Sequence, residues 1–302
     1  MEPWIPVTIA AAFLQNARSA LQKSLKGRLS NAGATYVRFL FGVVFVAAYL
    51  GGLMLYLDEP LPEMRSDFFY LGGVGALAQV LGTAALLQAV SLRSFAVGTA
   101  FSKTEPLQAA AFGFIILGEP VGDTGVLALV VSLVGVVILA LSRMEISVEA
   151  FSKLVFDRGA GMGLASGALF GIAAVCFRGA SLSLVTEGGV FLRAGFTLLS
   201  VIVFQTLVMT IYLFYREPDE FKKVRSVWRP ATLVGASGAF ASVGWFTAMT
   251  MYNAAYVRAV GQLELVFALA ASWFFFRERI SPLELGGMAA VVGGVVLLVM
   301  QG

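Results

Sequence analysis

Four charged residues stand inside long apolar stretches of this 302-residue chain: Arg18, Lys103, Glu105 and Glu264. A charge at such a depth in hydrocarbon costs from about 2.5 to more than 10 kcal/mol, so it faces a cavity or an opposite charge. Charges placed there can form a polar substrate site, or a carboxylate among them can carry a coupling proton. Alternatively, the four charges form a static ion-pair network. A buried carboxylate titrates upward only when it is unpaired, and two nearby cations work against that. The first apolar stretch adds neutral polar groups: Gln15, Arg18, Ser19 and Gln22 share one helix face at i, i+3, i+4 and i+7. Gln79 and Thr83, one turn apart, can join this stripe. Trp245, with Ser242 three residues earlier, can wall a cavity for an apolar or aromatic group; core filling or lipid contact is the plain alternative. The substrate-binding set expected from these residues is Glu105, Glu264, Arg18, Lys103, Gln15, Gln79, Trp245 and Gln262, lining one central cavity.

Other chemistries are excluded by composition. The chain has no His and one Cys, Cys176. Imidazole bases, Ser-His-Asp triads and His-held zinc or haem are therefore absent, as are intrachain disulfides and Cys-based metal clusters. No Asp-rich diphosphate motif and few paired acids are present, so an enzyme is not expected. No nucleotide-binding motif is found, so no cofactor is expected and ATP does not drive the protein directly. The net charge is only +3, and no nucleic-acid partner is expected. Met1-Glu2-Pro3-Trp4 lacks the basic region and small-residue cleavage pattern of a signal peptide.

The elements that must position the charges follow from hydropathy. Hydrophobic residues make up 59% of the chain and charged residues 13%, the latter about half the usual ~25%. The mean hydropathy of +0.86 belongs to a polytopic membrane protein. A crossing needs roughly 20 mostly apolar residues, and ten such runs are present: 4–22, 35–57, 68–92, 95–117, 123–142, 160–180, 189–214, 230–251, 256–276 and 282–300. Backbone groups in lipid must be paired within the segment, so each run reads as one helix. Barrel strands would alternate apolar and polar residues; these runs are apolar all round. The sequence thus predicts an all-α integral membrane protein with ten transmembrane helices. The segment 143–158 reads as a short amphipathic surface helix or a plain loop.

The second half echoes the first. An offset of 159 maps 85–141 onto 244–300 without a gap, matching Glu105 with Glu264, Glu119 with Glu278 and Gly135 with Gly294. Earlier in the chain an offset of 155 pairs Leu14 with Leu169, Lys23 with Arg178 and Arg38 with Arg193. Five spans per repeat is an odd number, so the second copy enters the bilayer from the opposite face. Two inverted five-helix repeats, 1–145 and 146–302, are expected. Secondary transporters commonly have this plan, with the substrate near the midplane. Pro106 beside Glu105 frees the Ser102 carbonyl and predicts a kink; its repeat partner is Leu265. Small residues at four-spacing, Ala128/Ser132 and Ala290/Gly294, permit close helix contact, either within one chain or in a homodimer.

Taken with Glu105-Pro106, Gly118-Glu119, Glu264-Leu265, Arg277-Glu278-Arg279 and the arginines Arg38 and Arg193 opening the second helix of each repeat, this plan resembles the drug/metabolite transporter superfamily in its EamA-like branch. The resemblance covers nearly the whole chain. It implies export or import of amino acids and other metabolites by a secondary carrier. The Gly-Ala-Leu-Asn-Lys signature of nucleotide-sugar carriers is absent. The expected function is transport of a small polar metabolite, such as an amino acid or related compound, through a central cavity between inverted repeats. The alternative is a lipid or lipid-phosphate flippase on the same scaffold, with Arg18 and Lys103 as a headgroup site.

The expected location is the plasma membrane, the inner membrane of a bacterium, with the lipid bilayer as its surround and a small-molecule substrate as its ligand. Loops on the side opposite the N-terminus hold Lys23, Lys26, Arg28, Arg93, Arg143, Lys153, Arg158, Arg216, Lys222, Lys223, Arg225, Arg229, Arg277 and Arg279, whereas loops on the N-terminal side hold only Arg65. Lys and Arg in short loops stay cytoplasmic, which places both termini outside. Ten-helix relatives are usually drawn with both termini inside, so charge and resemblance disagree here.

Overall fold

The computed structural model of the chain describes residues 2–23, 25, 27–92, 95–142, 158–276 and 281–300. The expected amphipathic segment 143–158, apart from its last residue, the boundary at 145/146 and the Arg277-Glu278-Arg279 triplet lie outside the described residues. Among the described residues the regular structure is helical: α1 (Trp4–Lys23), α2 (Asn31–Leu57), α3 (Ser66–Leu92), α4 (Phe95–Ser102), α5 (Glu105–Leu117), α6 (Asp123–Ser142), α7 (Arg158–Ser183), α8 (Gly189–Arg216), α9 (Glu220–Ser226), α10 (Trp228–Met251), α11 (Ala254–Gly261), α12 (Leu263–Phe276) and α13 (Pro282–Val299). Seven of these are long and apolar enough to cross a bilayer: α2, α3, α6, α7, α8, α10 and α13.

Two expectations need correction. The runs 95–117 and 256–276 are not single helices. The first is split into α4 and α5, and the second region into α11 and α12. The kink expected at Pro106 is a full break, and it occurs equally in the copy that has Leu265 instead of proline.

The chain forms two compact units, each drawing on both sequence halves. The first comprises Met1–Ile5, Ala78–Val175 and Tyr252–Gly302; the second comprises Pro6–Leu77 and Cys176–Met251.

In the first unit, α6 and α13 pack backbone against backbone. A Cβ built on Gly135 would lie 2.6 Å from the Val291 nitrogen and 2.7 Å from the Gly287 oxygen; one on Gly294 would lie 2.8 Å from both the Ala128 oxygen and the Ser132 nitrogen. Because Ala128 meets Gly294 while Leu139 meets Gly287, the two helices run antiparallel. The offset of 159 makes Gly135 equivalent to Gly294, Ala128 to Gly287 and Ser132 to Val291, so the contact is two-fold symmetric in sequence as well as in space. Val136, Leu139, Leu269 and Val291 form the buried cluster beside it. Ser281 opens α13 with a capping box: its Oγ accepts from the Glu284 N–H at 3.1 Å and its own N–H donates to Glu284 Oε2 at 2.9 Å.

In the second unit, α2 and α8 pack through side chains. Tyr36 meets Thr210, Gly42 meets Ile202, and Tyr49 with Leu50 meets Gly195, so these helices are antiparallel too. Leu50, Phe68, Ala180, Leu184, Leu192 and Phe196 form their buried cluster. The carbonyls that end α10 are covered by Arg178, whose Nη1 donates to the Met249 oxygen at 2.7 Å and the Thr250 oxygen at 3.3 Å. At the other end of this unit, the Ser30 N–H before α2 donates to Glu220 Oε2 at 3.0 Å, and Lys223 Nζ lies 2.5 Å from Glu220 Oε1. Burial pushes the Glu220 carboxyl up, but the Lys223 and Ser30 donors outweigh it and hold the group below the usual carboxylate range.

Replacing Gly135 or Gly294 with leucine should force the α6–α13 backbones apart. Overpacking of this kind costs on the order of 1–3 kcal/mol. Each variant should show a clearly lower Tm in detergent, while Gly51→Leu, at a position with nothing within 4 Å of its Cβ, should not. An unchanged Tm for Gly135→Leu would contradict the packing.

Candidate functional site

The two helix breaks fall at equivalent positions. Lys103 and Thr104 separate α4 from α5, and Gln262 separates α11 from α12; the offset of 159 maps Lys103 onto Gln262 and Glu105 onto Glu264. Each break exposes backbone groups that apolar surroundings cannot satisfy. Local side chains cover them. Gln262 Nε2 donates to the Lys103 carbonyl at 2.9 Å, and Gln262 Oε1 accepts from Ser132 Oγ at 2.8 Å. Thr104 Oγ1 donates to the Phe101 carbonyl at 2.6 Å and accepts from Gln108 Nε2 at 2.6 Å. Ser166 Oγ donates to the Gly82 carbonyl at 2.8 Å and lies 3.3 Å from Ser102 Oγ. Gly167 allows this approach, since a Cβ there would sit 2.9 Å from the Ser102 oxygen.

The carboxylates open the second half-helices, where the helix dipole favours negative charge. Glu105 is buried, at 5% exposure. Arg258 grips it with two nitrogens: Nη2 donates to Oε2 at 2.8 Å, and Nε faces Oε1. Glu264 is paired with Lys103 Nζ. Each pair therefore joins a cation of one repeat to the glutamate of the other, and the four charges sum to zero. Sequence reasoning missed Arg258. With the span counted from 256 as one helix, it reads as an edge residue. The usable signal was its position four residues before Gln262, which puts both on one face of a helical turn.

Of the eight expected site residues, Gln79, Lys103, Glu105, Gln262 and Glu264 belong to the first unit, and Gln15, Arg18 and Trp245 to the second. Lys103, Gln262 and Glu264 are brought into direct contact, and Glu105 is held by Arg258. Gln79 accepts on its backbone oxygen from Thr83 Oγ1 at 2.9 Å. In the second unit Trp245 is buried, and its indole N–H donates to Gln15 Oε1 at 3.0 Å. Arg18 lies beside Gly238 together with Arg38. Glu119 follows the Gly118 cap of α5 and accepts from Asn253 Nδ2 at 3.4 Å.

The EamA-like transporter family model matches residues 3–141 and again 158–300. The chain belongs to the EamA-like transporter family. It is therefore a multi-pass membrane protein of a transporter family in the drug/metabolite superfamily, with two family repeats. A solved crystal structure, titled only as that of a protein, is similar over 99% of this chain and 97% of its own, with a TM-score of 0.72 at 16% sequence identity, and so shares its fold. No curated protein matches the sequence.

Removing one partner of a buried ion pair leaves the other uncompensated, at a cost of about 3–5 kcal/mol, whereas removing both costs far less. Glu105→Gln and Arg258→Gln should each lower the Tm of the purified protein strongly. The double variant should be more stable than either single one. Strictly additive losses in this cycle would contradict the pairing.

Proposed function

We propose that this chain is a secondary carrier of a small polar metabolite, with amino acids and related zwitterions as the best-fitting substrate class. One observation carries the reading: two spans are broken at repeat-equivalent positions, and the charges at the breaks pair across the repeats. Broken helices with exposed polar backbone are how membrane carriers build substrate sites in an apolar medium. A cluster of two cations and two carboxylates has no net charge to attract a simple ion. A zwitterion can exchange with its internal pairs, carboxylate for carboxylate and ammonium for ammonium, without a change in charge. We assign Glu105, Glu264, Lys103 and Gln262, with Gln15, Arg18, Gln79 and Trp245, as substrate-binding residues, and add Arg258.

The same reading takes the chain as ten crossings in two inverted five-helix repeats, 1–145 and 146–302. α1 and the paired half-helices α4/α5 and α11/α12 supply the three crossings beyond the seven long helices. The antiparallel course of the equivalent pairs α6/α13 and α2/α8 supports inversion. Of the small-residue pairs that fit a homodimer stripe, Ala128/Ser132 and Gly294 meet one another within the chain, which favours a single chain as the working unit.

Reconstituted protein should give saturable counterflow of some members of an amino-acid and amine panel. Glu105→Gln and Glu264→Gln should reduce it by about tenfold or more, the scale of a lost charge-assisted contact, and Glu119→Gln far less. Lipid scrambling without solute counterflow would replace the carrier with the flippase.

The proposed location is the bacterial inner membrane with both termini outside, supported by the cation distribution. Alkaline phosphatase fused at the C-terminus should be active. Fluorescence of a C-terminal fluorescent protein in the cytoplasm, with an inactive phosphatase fusion, would reverse the orientation.

A further inference from the structure

The link between α8 and α10 belongs to a membrane boundary. Both helices are long and apolar enough to cross a bilayer, so the residues between them, 217–227, lie at one of its surfaces. There the chain forms α9. Glu220, Val224 and Val227 are buried on one side of it. Two contacts tie α9 to the start of α2: the Ser30 N–H donates to Glu220 Oε2 at 3.0 Å, and the Phe221 ring stands edge-on to Tyr36, with centroids 5.9 Å apart. At about 100° per residue the opposite side of α9 presents Lys222 and Arg225, and both are exposed. Arg216 at the end of α8, Arg229 in the first turn of α10 and Arg28, two residues before Ser30, are exposed as well.

The chain offsets this charge only in part. Residues 216–229 hold five cations against three acids. Lys223 is taken by the buried Glu220, and Lys222 lies 3.5 Å from Asp219 with both side chains exposed; an exposed pair of this kind is weak. Among the described residues no carboxylate pairs with Arg28, Arg216, Arg225 or Arg229, and α10 has no acidic residue in its first turn. Aromatic side chains mark the depth. Trp228 is 54% exposed, with the Arg229 guanidinium 5.4 Å from its ring centroid, and Tyr212 and Tyr215 are exposed at the end of α8. Trp and Tyr at the ends of spans sit at the headgroup level of a bilayer, so the arginines beside them stand at the depth of lipid phosphates.

We propose that the corner formed by α9 and the start of α10 binds anionic phospholipid headgroups, with Arg225 and Arg229 as the principal cations and Trp228 as the interfacial anchor. Attraction to an anionic surface acts on each cation separately and does not require the side chains to converge on one group. The inference is independent of the carrier reading, because this surface meets lipid whether or not a solute crosses.

The test uses the full chain in a neutral detergent. It is titrated with phosphatidylglycerol and, separately, with phosphatidylcholine of the same acyl chains, and native mass spectrometry reads the bound lipid. Phosphatidylglycerol should bind more tightly. A cation near an anionic surface is worth about fivefold in affinity, so Arg225→Gln and Arg229→Gln should each weaken phosphatidylglycerol binding by about that factor and leave phosphatidylcholine unchanged. Arg225→Lys and Arg229→Lys keep the charge and should keep the binding; they are the deciding variants if the Gln variants fold poorly. Arg65→Gln, an exposed cation in the loop before α3, should bind as the unaltered protein does. Added salt should weaken the preference, since exposed charges are screened. Equal binding of the two lipids, loss of the preference in the Lys variants, or a preference that survives Arg225→Gln and Arg229→Gln combined would overturn the site.

Discussion

A polypeptide in hydrocarbon must satisfy every backbone N–H and C=O from its own atoms, because no water is there to do it. This chain interrupts a helix twice within apolar sequence, and the organisation of its first unit follows from how those interruptions are covered. Gln262 reaches from one break to the Lys103 carbonyl at the other, and Ser132 of α6 fixes Gln262 in turn. The carboxylates Glu105 and Glu264 sit where the restarted helices present their positive ends. The breaks, the amide bridge and the two ion pairs are one device, and none of its parts would be stable in an apolar surround without the others.

The α6–α13 contact serves that device. Glycines at equivalent positions let the two backbones touch, which brings α6, with Ser132, close to the breaks. The repeat is not perfectly symmetric at the centre. Lys103 and Gln262 occupy equivalent positions with different chemistry, and the two glutamates are held differently. Arg258 holds Glu105 by a hydrogen bond from Nη2 with Nε paired to the other oxygen, whereas Lys103 offers Glu264 a point charge on a flexible stem. The repeats differ elsewhere as well: Gln15, Arg18 and Trp245 of the second unit are equivalent in sequence to Phe170, Ala173 and Leu86, so these polar positions have apolar counterparts.

Much of this is legible in the order of residues alone. Apolar runs mark the spans, the ungapped offset marks the repeat, and the cost of charge in hydrocarbon singles out Lys103, Glu105 and Glu264. The break itself is half legible. Pro106 flags one copy, but Leu265 gives no sign in the other, because that break is stabilised by a tertiary hydrogen bond from Gln262 and not by a local helix breaker. Arg258 is hidden for the same reason, since a continuous helix would put it at a membrane edge. Glu220 lies in a stretch that reads only as polar linker. Its burial against Ser30 and Gly33 is a contact 190 residues distant in sequence, which no local pattern encodes.

The proposed carrier function requires that solute meet protein at the break between α4 and α5. Cysteine accessibility at Thr104 tests it most directly. Cys176, the native thiol, is buried and supplies the background. A Thr104→Cys protein in liposomes should react with a water-soluble methanethiosulfonate reagent well above that background, and a solute that gives counterflow should slow the reaction. A thiol at this position that stays unreactive, or that reacts at the same rate with every transported solute, would contradict the account.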